Sequence, residues 1–176
     1  MPFYVSLKIK DSDNQKSKRQ KKRVATNLQK LHSELLKHFI DSGSETDVRK
    51  SVRIATWNLR EFGGGKYKGR DFESSYYIAE ILSHFDLVAL QEVKADLKEL
   101  KKLLKILGPD WDYIATDATD VPMTAGNGER MVFLFNQRYI RFRNIAGELT
   151  LKEGTKIRAA FGERIKLEDR FFHFYS

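Results

Sequence analysis

Two short runs, "DLVAL" (86–90) and "ERMVFLFN" (129–136), constrain this chain more than any other feature. The first is continuously apolar after its leading Asp and is bounded by polar residues, the mark of a strand buried on both faces; the second is again almost wholly apolar. Strands of that kind need other layers packed over them. The sequence supplies the material between them. "SSYYIAEILSHF" places Tyr77, Ile78, Ile81, Leu82 and Phe85 on one helical face. "DLKELKKLLKILGP" reads as a second amphipathic helix, with Asp96 as N-cap, Glu99 three residues on, and Gly108 and Pro109 as the stop. "SVRIATW", "WDYIAT" and "YIRFRNIAGEL" read as further strands. Strands alternating with amphipathic helices predict a layered α/β domain. There is no internal repeat.

Length, charge and residue usage then exclude several classes. At 176 residues the chain holds one domain with a sizeable core, and 41% hydrophobic residues with twelve Phe mark it as globular. It has no cysteine, so disulfides, thiolate zinc sites and Cys nucleophiles are excluded. No apolar run approaches the ~20 residues that span a bilayer. The start "MPFYVSLKIKDSD" lacks the apolar core of a signal peptide. The expectation is a cytoplasmic protein that does not engage a membrane.

The net charge of +8 is unevenly distributed. Residues 1–50 carry 12 basic against 6 acidic residues, whereas 51–176 carry 20 against 18. The excess sits in a leader, focused on "KSKRQKKR" (Lys16 to Arg23), which reads either as a phosphate-binding or localisation patch or as a solvated segment ahead of a helix. That helix follows in "VATNLQKLHSELLKHFI", with Val24, Leu28, Leu31, Leu35, Leu36 and Phe39 on its apolar side. His32 and His38, six apart, fall on different sides and are expected at the surface or at an edge. "DSGSETD" (41–47) is a polar linker. Two segments result: a basic, helical leader over 1–50 and the body over 51–176.

Chemistry is expected where polar residues follow buried strands. "LVALQEV" sets Gln91 and Glu92 just after one, and "RIATWNLREFGGG" sets Asn58 just after another. In open α/β sheets that edge is where ligands bind. Glu129 and Arg130 form a third polar pair at the edge of the last apolar strand. Taken singly each has an ordinary reading: Glu92 as a helix-start acid, Asn58 as a turn or cap, Glu129 and Arg130 as a surface ion pair. "GGGKYKG" is not a triphosphate-binding loop, because Arg60 stands where its first Gly belongs and Tyr67 replaces its hydroxyl. Gly63 to Gly65 read as a turn. Three polar strand-end groups of this kind could converge on one hard cation and a phosphate, and a small set of oxygen ligands suits Mg²⁺.

In order along the chain, "ATWNLREFG", "YYIAEILSHFDLVALQEV" and "WDYIATDAT…GNGERMVFLFN" resemble the endonuclease/exonuclease/phosphatase superfamily, whose founding members are deoxyribonuclease I and exonuclease III. The resemblance runs from about Ile54 to Asn136, and the leader is similar to the start of a bacterial subgroup. It implies a fold that is part of the four-layer, two-sheet sandwich of deoxyribonuclease I-like proteins. It also implies roles. Asn58 looks like the Asn that helps hold the metal or the scissile phosphate, and Glu92 like the metal-binding Glu of the Q-E box. Arg60 and Lys94 resemble positions that touch substrate phosphates. Glu129 looks like the acid that orients a catalytic His, and Arg130 follows it on the phosphate side as in deoxyribonucleases. The implied chemistry is hydrolysis of a phosphodiester, DNA by descent, assisted by Mg²⁺ or another divalent cation such as Mn²⁺ or Ca²⁺.

The same resemblance implies motifs that this sequence does not carry. The family's second half supplies a catalytic His, a G-D-F-N box and a final Asp-His pair. None occurs between Asn136 and Ser176, where His173 lies in the apolar "RFFHFYS" and reads as a strand residue. The chain is therefore expected to represent the N-terminal half of such a domain, to cleave DNA negligibly by itself, and to leave apolar strand faces uncovered, which favours low stability or aggregation. Two other readings stay open: a catalytically silent unit that binds nucleic acid or a partner, and a phosphatase or phospholipase of the same superfamily.

Overall fold

A computed structural model of the chain describes residues 2–41, 52–63, 71–116 and 129–141. They belong to one compact unit spanning Met1–Arg141. A four-stranded mixed sheet forms its base, in the order β1-β2-β4-β3. The strands are β1 (Ile54–Phe62), β2 (Leu87–Lys94), β3 (Trp111–Ala115) and β4 (Glu129–Asn136). The helices are α1 (Gln15–Asp41), α2 (Phe72–Leu82) and α3 (Lys98–Leu107). β1 and β2 run parallel, joined by the crossover that contains α2, while β4 is antiparallel to both β2 and β3. The α/β expectation therefore holds.

The core lies between the sheet and helices α2 and α3. Val88, Leu90, Val132 and Leu134 of the two central strands are fully buried there against Ile78, Ala79, Leu82, Leu100, Leu103 and Leu107. The opposite sheet face is covered less. Ile54 and Met131 are exposed, Leu87, Ala89 and Phe133 are half-buried, and Phe135 is buried. Burial on both faces, expected of 86–90, is thus not observed. Among the described residues the helices pack on a single side, and burial within the run alternates as the pleat requires.

Strand and helix limits differ from the sequence reading in an informative way. β4 covers the expected residues. β1 and β2 do not stop at Trp57 and Leu90 but continue through the polar residues that follow, for a reason given below. α3 starts at Lys98 with Leu97, not Asp96, in the N-cap position. Leu97 precedes it in the left-handed region (φ 52°), and Asp96 Oδ1 accepts the Lys98 N–H at 3.2 Å. Glu99 bonds Lys102 on its own helix at 2.5 Å, so no capping box forms. Of the strand expected over 139–149, residues 139–141 form a turn and coil, and the rest lies outside the described residues. The same is true of the 42–47 part of the linker, of Gly64 and Gly65, and of His173.

The C-terminal stop of α3 is as expected, and it also anchors the start of the chain. Gly108 has φ +100° and its N–H bonds Leu104 O at 2.8 Å. A Cβ built there would run into the Phe3 ring, whose backbone N–H bonds Ile106 O at 2.5 Å. Gly108→Ala is expected to destabilise the fold by about 1–3 kcal/mol, through left-handed strain and displacement of Phe3. A urea melt checks this, and an unchanged midpoint would contradict it.

The leader packs onto α2. Val24 and Leu28 of α1 and Leu7 of a 3₁₀ turn (Val5–Leu7) form a second small core with Tyr76. Leu31 and Leu35 are half-buried, and Leu36 is exposed. The basic run lies mostly at the surface of α1. Lys21 pairs with Asp13 at 2.7 Å and Arg23 with Glu73 of α2. His38 is exposed, but His32 turns inward toward Glu80, the one buried charged side chain among the described residues. Glu80 Oε1 lies 2.6 Å from His32 Nδ1 and 3.4 Å from His84 Nε2, and its other oxygen accepts the Tyr4 hydroxyl. Burial opposes ionisation of Glu80, but the bonds from His84, Tyr4 and His32 outweigh it and hold its carboxyl down at about 2. Burial, reinforced by the Glu80 charge, pushes the Tyr4 phenol well above its ordinary value.

No described helix is long and apolar enough to cross a membrane.

Candidate functional site

Strand direction alone gathers the polar strand-end residues. β1 and β2 are parallel, so their carboxyl ends share one end of the sheet; β4 runs the other way, so its amino end joins them there. Asn58, Arg60, Glu92, Lys94, Glu129 and Arg130 all fall at this end.

Two bulges shape it. Leu90 pairs with Val132 and Val93 with Arg130, so Gln91 and Glu92 together oppose the single residue Met131. On the other side Asn58 pairs with Gln91 and Phe62 with Val93, so residues 59–61 of β1 oppose Glu92 alone. Regular alternation from Leu90 would point Val93 away from the core. The extra residue returns it, and Val93 is 1% exposed. The same shift returns Phe62 to the core after Leu59. Hydrophobic burial of Val93 and Phe62 is what sustains the unusual backbone between: Glu92 has φ 58° and Arg60 φ 40°. Such left-handed conformations in non-glycine residues cost ~1–3 kcal/mol each and cluster at functional sites. Gly63 completes the turn out of β1 with φ +97°, and a Cβ at this position would sit 3.4 Å from the Lys94 Cβ.

The bulges bring Asn58 and Glu92 together. Asn58 Nδ2 donates to Glu92 Oε1 at 2.7 Å, and Asn58 Oδ1 accepts the Arg60 N–H at 2.8 Å. The Asn58 amide therefore links the two bulges and fixes the direction of the Glu92 carboxylate. Gln91, beside them, donates through Nε2 to Thr56 Oγ1 at 3.1 Å, an additional tie between the strands. Glu92 is only partly buried, and Asn58 and Arg60 are exposed. A carboxylate here keeps access to water and to ions.

The other expected residues divide between the two faces of the sheet. Lys94 and Glu129 are register partners and form an ion pair at 2.9 Å, with side chains 20% and 25% exposed. Arg130 is the partner of Val93 and so shares the core-facing side. Its Nη1 donates to Thr116 O at 2.9 Å, and its Nε is buried without a hydrogen-bond partner. Structure thus joins Asn58 with Glu92 and Lys94 with Glu129, and sets Arg130 apart. A cleft of about 390 Å³ runs between the edge strand β1 and α2, with Trp57, Asn58 and Arg60 on one wall and Tyr77 and Ile78 on the other.

The donors at the sheet end fit a hard divalent cation. The Glu92 carboxylate is an oxygen donor of the kind that Mg²⁺ takes from protein in small number while keeping water and phosphate as its remaining ligands; the Asn58 Oδ1 is turned to the Arg60 N–H. By charge, Glu92 is the residue here that could hold such a cation, with its carboxylate oriented by Asn58. No family model matches the chain, and a comparison with curated proteins finds no match.

Proposed function

We propose that the sheet end built by Asn58 and Glu92 is the metal-and-phosphate half of a phosphodiester-hydrolysing centre of the endonuclease/exonuclease/phosphatase type, addressed to nucleic acid, DNA by descent. The observation that carries this reading is the 2.7 Å bond from the Asn58 amide to the Glu92 carboxylate, made across two bulges that open at the carboxyl ends of parallel strands. An ordinary helix-start acid needs neither the bulges nor an amide holding it. The two-sheet sandwich belongs to the same proposal, supported by the exposure of Ile54 and Met131 on the face away from the helices.

Glu92 would hold the cation, and Asn58 would keep its carboxylate turned toward that cation. The cation, when bound, offsets charge on the phosphate and on the leaving oxygen. Arg60, exposed beside them on the edge strand, would meet the next phosphate along the chain. Lys94 is held by Glu129 and contributes its positive charge at that edge. Metal-dependent binding is the property of this half of the centre to measure.

Fluorescence anisotropy with a short labelled duplex tests the reading. Binding is expected to strengthen with Mg²⁺ and to lose that dependence in Glu92→Gln. Arg60→Ala is expected to weaken binding of all sequences alike and to lower the salt slope by about one. Binding that ignores both Mg²⁺ and Glu92 would contradict it.

A further inference from the structure

A second group of metal-competent side chains meets far from this sheet end. α2 leads from the end of β1 back to the start of β2, so its C-terminal turn lies at the opposite end of the sheet from Glu92. There His32 of α1 faces Glu80 of α2 and His84, which follows that helix. The His32 Nδ1, a Glu80 carboxylate oxygen and the His84 Nε2 all lie within 4.8 Å of one another. We propose that these three residues bind one divalent transition-metal ion of the zinc class, clamping the leader helix α1 onto α2.

The geometry is close to what such an ion needs. Tetrahedral bonds of ~2.0–2.2 Å place neighbouring ligand atoms about 3.4 Å apart. The Glu80–His84 separation, 3.4 Å, already has that value. His32 stands at 2.6 Å and must withdraw by less than about 1 Å, which its partly exposed side chain can do by a small ring rotation.

The surroundings hold the ligands in place. Glu80 is 3% exposed, and its second oxygen is bonded by the Tyr4 hydroxyl, the outer-shell arrangement that orients a metal-binding carboxylate. The His84 ring stacks on Phe39 at 5.3 Å and 8°, which fixes its plane. The His32 side chain is 34% exposed, leaving a path from solvent for a water as fourth ligand. Two imidazoles and one carboxylate suit Zn²⁺ and its neighbours in the first transition row, and do not suit Mg²⁺, which prefers oxygen throughout. The two proposed sites therefore differ in metal as well as in position. A bound ion would join residues on either side of the 42–51 segment and restrict the unfolded chain accordingly.

Calorimetric titration of the metal-stripped full chain with ZnCl₂ tests this. One Zn²⁺ per chain is expected, undiminished by excess Mg²⁺, with the melting temperature rising by roughly 5–10 °C at about a hundredfold excess over the dissociation constant. His32→Gln and His84→Gln are each expected to weaken binding by roughly 100-fold or more, while His38→Gln and Glu92→Gln leave it unchanged. If either cluster variant fails to fold, substoichiometric Co²⁺ on the wild-type chain reads the ligands directly. The imidazole protons of His32 and His84 should show the large contact shifts of directly bonded ligands, and those of His38 and His173 should not. Absence of one-to-one Zn²⁺ binding, binding that survives in His84→Gln, or Co²⁺ shifts confined to His38 or His173 would overturn the proposal.

Discussion

Glu80→Ala in the metal-free chain is expected to cost about 3–5 kcal/mol, a large part of the 5–15 kcal/mol that holds a typical domain folded. The reason is its place between α1 and α2. One carboxylate serves His32, His84 and the Tyr4 hydroxyl from a position 3% exposed. Removing it strands three polar partners in a half-buried interface. Glu80→Gln retains an acceptor for Tyr4 and is expected to cost less. The wild-type chain should show the same dependence through pH. The Glu80 carboxyl is lowered from 4.5 to about 2 in the folded state. Its stabilisation is therefore complete above about pH 4.5 and is lost as pH falls from there through about 2. The span of the shift corresponds to roughly 3 kcal/mol. Urea melts in the presence of a chelator at pH 7, 4 and 2.5 measure it. A Glu80→Ala chain as stable as wild type, or with the same acid sensitivity, would contradict this account of the α1–α2 contact.

Glu92→Gln is expected to weaken divalent-cation binding at the sheet end by roughly 100-fold or more, with a much smaller effect on folding stability. The two effects separate function from structure. Glutamine keeps an oxygen that accepts the Asn58 amide, so the tie between the bulges survives. What it loses is charge, which a hard cation needs far more than a partly exposed strand end does. Asn58→Ala should show the complementary pattern. The carboxylate remains but loses its orienting partner, and cation affinity is expected to fall about 10–100-fold. A stability loss in Glu92→Gln as large as the loss of binding would mean that the Asn58–Glu92 bond serves only to hold the strands.

The sequence made the α/β layering, β4 and the end of α3 legible, because each rests on local signals: an apolar run, a 3.6-residue spacing, a Gly-Pro stop. Asn58, Glu92, Glu129 and Arg130 were also legible as strand-end residues, since parallel and antiparallel strands bring such ends together once the topology is right; Lys94 came only with the family resemblance. The ends of β1 and β2 were not. A period of two fails at a bulge, so the polar residues after Trp57 and after Leu90 looked like the strands' finish. The inward return of Phe62 and Val93 was the available signal. How far each face is covered could not be read either, because the run "LVAL" looks the same under one layer of helices or two. The His32–Glu80–His84 group was half visible. Glu80 and His84 are four apart near the end of α2, but His32 arrives from α1 by packing alone.

A Mn²⁺ titration followed by electron paramagnetic resonance tests the central claim most directly, on the wild-type chain and on Glu92→Gln and His84→Gln. With the His32–Glu80–His84 group first filled by one equivalent of Zn²⁺, the account predicts one saturable Mn²⁺ site with a dissociation constant on the order of a millimolar or below, absent in Glu92→Gln and intact in His84→Gln. Equal Mn²⁺ binding by wild type and Glu92→Gln, or no saturable binding by wild type, would contradict it.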